Sequence, residues 1–289
     1  MYQHILVTLD GSPLAEQALP YAAKLAKSLG AHLTLLRAVP ATATGAAATT
    51  DAETPAQAEA YLQSVRTRAA EAGSVETVVA SGVPARVIVD AAKQRHADLI
   101  VLATHGRSGL GRWIYGSVAD QVMRESPVPV VVVPATAPFA WPGDRAPRIL
   151  VPLDGSDLAR AALGPASELA GDLHADLILV DVVEPHATAF IDPTATALID
   201  PTMELEAAKE YLTQVAADLR AKGLVVEISD AFGFSASGIV DTAEEKRADL
   251  IVMASHGSAG LTRLVLGSVA TGVIQRSHVP VVIIRPPAT

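Results

Sequence analysis

Short apolar runs alternate along this chain with longer amphipathic stretches. Residues 5–9, 33–39, 75–80, 98–103 and 128–133 are apolar with little polar alternation, the pattern of strands buried on both faces. After the first run, Leu14, Ala18, Leu19, Ala22, Leu25, Ala26 and Leu29 keep helical spacing. Ser12 is placed to cap that helix, Pro13 to open it and Gly30 to stop it. Helices are predicted over 55–72, from Pro84 to His96 and over 116–125, with an Ala/Thr-rich loop at 40–54. The second half follows the same order. Strands are predicted at 149–153, 177–183, 225–229, 250–254 and 279–284, with helices after Ser156, near 204–222, from about Ser237 and from Gly267. Such an alternation predicts α/β architecture: two tandem doubly wound domains, each a parallel sheet with helices on both faces and right-handed crossovers.

The two halves also share letters. Residues 96–117 read HADLIVLATHGRSGLGRWIYGS and residues 247–268 read RADLIVMASHGSAGLTRLVLGS, with 13 of 22 positions identical. That is an internal duplication. Asp10 and Asp154 lie 144 apart (154 − 10), whereas Gly106 and Gly257 lie 151 apart (257 − 106), so the second copy carries about seven more residues. Most of them fall in 184–203, where Phe190, Ile191, Leu198 and Ile199 are apolar for a loop and suit either packing on their own domain or a lid. The proline-bearing stretch 137–147 reads as a linker between domains 1–136 and 148–289.

Composition narrows the chemistry. Half of the 289 residues are hydrophobic but only 4% are aromatic, so Val, Leu, Ile and Ala must build the core. There is no cysteine, which excludes disulfides, thiol catalysis and zinc–thiolate sites. The formal net charge of −9 comes without a basic block, so a broad nucleic-acid surface is not expected. No apolar run approaches a membrane span, and the first strand begins almost at Met1, leaving no room for a signal peptide. The expectation is a cytoplasmic protein that binds neither membrane nor nucleic acid.

The candidate chemistry sits in the repeated loop. In both copies an apolar strand runs into His-Gly, then nine residues, then Gly-Ser at the start of a helix. Phosphate binding needs convergent N–H donors and close backbone approach, which Gly106, Gly116, Gly257 and Gly267 permit. Ser117 and Ser268 place a hydroxyl, and Val118 and Val269 a backbone N–H, at a helix N-terminus that favours an anion. Asp10 and Asp154 end the first strand of each half, where they suit an Asx turn, a ribose or adenine donor, or Mg²⁺ held through water. His105 and His256 precede the loop glycines without the acid, nucleophile or metal set that catalysis needs. Arg107 and Arg112 in the first loop face Ser258 and Arg263 in the second, giving the first site one more cation. No Walker loop, G-x-G-x-x-G or H-E-x-x-H occurs.

These motifs together resemble the universal stress protein family, in tandem: Asp-Gly-Ser after the first strand, the Asp-Leu-Ile-Val strand, the His-Gly…Gly-Ser loop and a final Pro-Val strand at Pro129-Val130 and Pro280-Val281. The resemblance implies sheets of strand order 3-2-1-4-5, final strands pairing antiparallel between domains, and homodimers of tandem chains. It also implies an adenine nucleotide, ATP or AMP, with or without Mg²⁺. Val39 and Val183 would lie against adenine through backbone groups, and Asp10 and Asp154 at the nucleoside end. The ATP-binding branch carries G-x-x-G, nine residues, then G-[ST]; this chain puts Ala103 and Ala254 where the first Gly stands. The expected role is a regulatory nucleotide-binding protein of the stress response, against a non-nucleotide interaction module or a slow ATPase.

Overall fold

The computed structural model describes residues 2–40, 53–104, 116–134, 139–184, 201–255 and 266–285. The chain divides into two compact units, Met1–Trp141 and Pro142–Thr289. The first contains β1 (His4–Thr8), α1 (Ala18–Leu29), β2 (His32–Val39), α2 (Pro55–Arg66), β3 (Val75–Ser81), α3 (Pro84–Gln94), β4 (Leu99–Ala103), α4 (Ser117–Glu125) and β5 (Val130–Val133). The second contains β6 (Arg148–Pro152), α5 (Asp157–Arg160), α6 (Leu163–Leu173), β7 (Asp176–Val183), α7 (Pro201–Ala221), β8 (Val226–Phe232), α8 (Ser235–Glu245), β9 (Leu250–Ala254), α9 (Ser268–Arg276) and β10 (Val281–Ile284). Their strand orders are β3-β2-β1-β4-β5 and β8-β7-β6-β9-β10, parallel throughout. This is the doubly wound order that the alternating pattern and the family resemblance imply. No helix among the described residues is long and apolar enough to cross a membrane.

The core follows from composition. β5 and β10 are four-residue strands of Val and Ile buried at every position, which only a sheet covered on both faces allows. Alanines such as Ala18, Ala22 and Ala26 turn one face of α1 inward and let it sit close to the strands. Four helices end in the same way. Gly30, His96, His174 and Arg247 take left-handed backbone, with φ between 51° and 64°, and the next N–H returns to a carbonyl five residues back. That closure satisfies the helix's last carbonyls and turns the chain into the following strand. It also corrects the expected end of α3, which stops at Gln94 because His96 has already left the helical region.

Two other boundaries differ from expectation. Ser12 does not cap a long helix: its Oγ accepts the Ala15 N–H at 3.1 Å, and a 3-10 turn at Ala15–Gln17 precedes α1, so Pro13 is not its first residue. Ser156, its counterpart, does cap α5, accepting the Ala159 N–H at 3.1 Å. The stretch predicted as one helix over 55–72 is α2, held by a Thr54–Gln57 capping box, followed by a 3-10 segment at Thr67–Ala72. Phe139, inside the expected linker, packs edge-on against Tyr21 with ring centroids 4.9 Å apart. The apolar residues Phe190, Ile191, Leu198 and Ile199 lie outside the described residues.

The Asp of each Ala-Asp-Leu-Ile repeat ties two strands at their N-terminal ends. Asp98 Oδ2, just before β4, accepts the backbone N–H groups of Gln3 (2.7 Å) and His4 (2.9 Å) at the start of β1. Asp249 Oδ2 accepts the Arg148 N–H (2.8 Å) at the start of β6, and both its oxygens take bonds from the Arg145 guanidinium. Asp249 is only 9% exposed. Removing it leaves a strand-end donor and a guanidinium without their acceptor. Asp249→Ala is therefore expected to cost about 2–3 kcal/mol, read as a lower urea midpoint at unchanged slope. An unchanged midpoint would contradict the tie.

Candidate functional site

Because β1 runs beside β4 and β6 beside β9, the strand order reverses at these pairs, and the crevice beyond their C-terminal ends is the natural ligand position in such a sheet. Each unit has a cavity there. The first, about 240 Å³, is lined by Asp10, Ala103, Gly116, Ser117 and Val118 among others. The second, about 520 Å³, is lined by the equivalent Asp154, Ala254, Gly267, Ser268 and Val269. Ten of the seventeen residues singled out from the sequence thus line the two cavities, five in each. His105, Gly106, Arg107, His256 and Gly257 lie outside the described residues, as do Arg112, Ser258 and Arg263.

Val39 and Val183 stand apart from this group. Each ends its strand with its carbonyl accepting a glycine N–H across the sheet, from Gly82 at 2.9 Å and Gly233 at 3.0 Å, while the neighbouring Ala38 and Val182 line the cavities.

The helix ends supply the donors. Gly116 and Gly267 are the N-caps of α4 and α9, and neither helix has a side-chain cap. First-turn N–H groups have no partner within their own helix, and those of Ser117, Val118, Ser268 and Val269 belong to residues that line the cavities. Gly116 has φ −58°, and among the described residues a Cβ there would meet only the Thr104 carbonyl oxygen, at an ordinary 3.8 Å. Neither its backbone conformation nor packing against the described residues requires a glycine at this position. What its missing side chain leaves open is the cavity itself.

The strand-end aspartates do two things. Asp10 Oδ1 accepts the Ser12 N–H at 2.9 Å, and Asp154 Oδ1 accepts the Ser156 N–H at 3.0 Å and its hydroxyl at 2.5 Å. These are Asx turns around Gly11 and Gly155, both at positive φ. The same carboxylates line the cavities. Ala103 and Ala254 are ordinary strand residues, in register with Val133 and Ile284, so a methyl group there brings no backbone strain.

Three lining residues of the second cavity escaped the sequence reading: Asp181, Glu184 and Ser235. Strand register pairs His4 with His32 and Arg148 with Asp176, which makes Asp181 the counterpart of Arg37 and Glu184 that of Pro40. Lining up the halves at the 144-residue offset would have exposed this reversal of charge inside an apolar strand. Burial, then the nearby Asp154 carboxylate, pushes the half-buried Asp181 up to about 6. Glu184 Oε1 accepts both the N–H (3.0 Å) and the hydroxyl (2.5 Å) of Ser235 at the start of α8, and these bonds hold it below the usual carboxylate range.

The universal stress protein family model matches this chain twice, at residues 1–134 and 146–285. The chain belongs to the universal stress protein family. It is 34% identical over 142 residues to universal stress protein MJ0531 of Methanocaldococcus jannaschii, covering 48% of this chain and 82% of that one. A Mycolicibacterium smegmatis universal stress protein is 27% identical over 213 residues, covering 74% of this chain and 69% of its own. Among solved structures, a universal stress protein from Archaeoglobus fulgidus superposes with a TM-score of 0.65 at 22% identity, covering 98% of this chain and 96% of that one. The functionally unknown PA1789 from Pseudomonas aeruginosa gives 0.68 at 20% identity, covering 99% and 93%. Both show the fold alone. In this universal stress protein, then, each family domain carries one of the two strand-end cavities, and the second has the more acidic described lining.

Asp181 makes a stability prediction. Its folded pKa lies above the unfolded value near 4, so the folded state is penalised as pH rises through that window to about 6 and above. Asp181→Asn is expected to raise Tm at pH 7.5 and to leave it nearly unchanged at pH 3, where the carboxyl is mostly protonated in both states. A gain of equal size at the two pH values would contradict a raised proton affinity of the buried Asp181.

Proposed function

We propose that each unit binds an adenine nucleotide, ATP or AMP, and that the protein is a regulatory nucleotide sensor of the stress response rather than an efficient catalyst. The observation that carries the reading is the uncapped helix N-terminus opening onto a cavity opposite an aspartate, present in both units. The phosphates would take the first-turn N–H groups of α4 and α9 and the Ser117 and Ser268 hydroxyls. Asp10 and Asp154 would accept ribose hydroxyls. Gly106, Arg107, His105 and their counterparts Gly257 and His256 belong to the loops that would complete the phosphate ends, and the backbone of Val39 and Val183 the adenine ends.

Any Mg²⁺ would ride on the nucleotide's phosphates, with Asp10 and Asp154 able to hold it through water. A regulatory role fits cavities whose described residues offer binding groups at a helix N-terminus and a strand end. Family membership also supports a cytoplasmic protein and a homodimer of tandem chains.

Gly116→Val and Gly267→Val place branched side chains where the phosphate must approach backbone. Each is expected to abolish ATP binding at its own unit with the fold intact, so calorimetric stoichiometry falls from two to one in either variant and to zero in the double variant. A folded double variant that still binds two ATP would overturn the reading and favour an interaction module in which these glycines are structural.

A further inference from the structure

The two cavities differ most at the end where the nucleoside would lie, and the difference is a rewiring of charge. In the first unit, Arg37 is 2% exposed, donates to Glu53 at 2.5 Å and lies 4.8 Å over the Tyr61 ring. The Tyr61 hydroxyl donates to Glu16 at 3.0 Å. Arg37 and Glu16 thus each have a partner there, with Arg37 Nε and Nη1 left without one among the described residues, and Asp10 is the only charged residue among the described residues of the cavity wall.

The second unit keeps the tyrosine and reverses its neighbours. Counting 144 on from Glu16 and Arg37 gives Arg160 and Asp181, and Tyr211 stands in a Glu-Tyr-Leu context where Tyr61 stands in Ala-Tyr-Leu. Arg160 lies 6.0 Å from the Tyr211 ring, and the buried Tyr211 hydroxyl has no partner among the described residues. Around Tyr211 of α7 stand Arg160 and Asp157 of α5, Asp154 just beyond β6, and Asp181; Asp181 itself feels the Asp154 carboxylate and has Asp230 as its register partner on β8. With Glu184 at the strand end, three carboxylates line the wall among the described residues, where the described lining of the first cavity has one. They do not converge as metal ligands.

We propose that the two cavities select by charge: the first prefers the anionic nucleotide, and the second prefers the uncharged nucleoside, holding the polyphosphate form more weakly and gaining affinity for it as the pH falls. The inference rests on the nucleotide reading above. Carboxylates accept hydroxyl and amino hydrogens from a ribosyl purine at little cost, while an added polyphosphate in the same partly desolvated cavity meets their field. Protonation of Asp181 removes one of the three charges and converts an acceptor into a donor. The raised proton affinity of Asp181 puts this change near pH 6.

The test isolates each site in the intact chain, with Gly267→Val leaving the first and Gly116→Val the second, and titrates ATP and adenosine at pH 5.5 and pH 7.5. ATP's own terminal phosphate titrates in this range at both sites, so the readout is the ATP-to-adenosine preference of the second site relative to the first. The first site is expected to prefer ATP at both pH values. The second is expected to prefer adenosine at pH 7.5 and to gain about tenfold in relative ATP affinity at pH 5.5. Asp181→Asn should supply that gain at pH 7.5 and flatten the pH response. Should Gly116→Val unfold its unit, two-site isotherms of the otherwise wild-type chain with and without Asp181→Asn make the same comparison. Equal, pH-independent preference for ATP at both sites, or a preference that Asp181→Asn does not move, would overturn the charge selection and leave the nucleotide reading standing. Binding of neither ligand by the wild-type chain at any pH would overturn both.

Discussion

The adjacency of the first and fourth strands in each unit is the constraint on which both sites depend. It brings a carboxylate at the end of one strand to the same crevice as a helix N-terminus that follows the other. Two features secure it from opposite directions. Beneath, Asp98 and Asp249 bridge to the backbone at the start of β1 and β6. Above, the Gly116 and Gly267 N–H groups return to the Thr104 and Ser255 carbonyls at 2.7 and 2.8 Å, fixing where α4 and α9 begin relative to the strands they follow. A ligand meeting these ends finds donors and acceptor already placed, so little ordering entropy remains to be lost on binding.

Duplication has kept this frame and changed its lining. The backbone features recur almost residue for residue: the Asx turns at Asp10 and Asp154, the left-handed helix ends, the uncapped α4 and α9. Side chains that do not shape the frame have diverged, above all Arg37 against Asp181 and Glu16 against Arg160. In a partly desolvated cavity such exchanges weigh more than they would on a surface, because nearby charges are poorly screened. The two units are alike in fold and unlike in field.

Much of this was legible in the sequence. The apolar strands and the repeat of Asp-Leu-Ile-Val placed the sheet, and Asp10, Asp154 and the Gly-Ser pairs were identified as one cluster from their positions at strand and helix ends. What escaped it had physical causes. Local turn geometry decided between a helix and a 3-10 segment after Ser12, where Asp10 and Ser12 hydrogen-bond the loop before α1 can start. Asp181 passed unnoticed because a single polar residue in an apolar strand carries no periodic signal; its meaning appears only when register sets it opposite Arg37 and beside Asp154. Glu184 gained a role from a contact 51 residues away at Ser235, a distance no local pattern spans.

The central claim, that this tandem chain holds adenine nucleotide in both units, is tested most directly by native mass spectrometry of the intact protein titrated with ATP. The account predicts two successive mass increments per chain, the first filling at lower ATP concentration than the second at neutral pH. A protein that stays at its bare mass across the titration, while folded by circular dichroism, would contradict it.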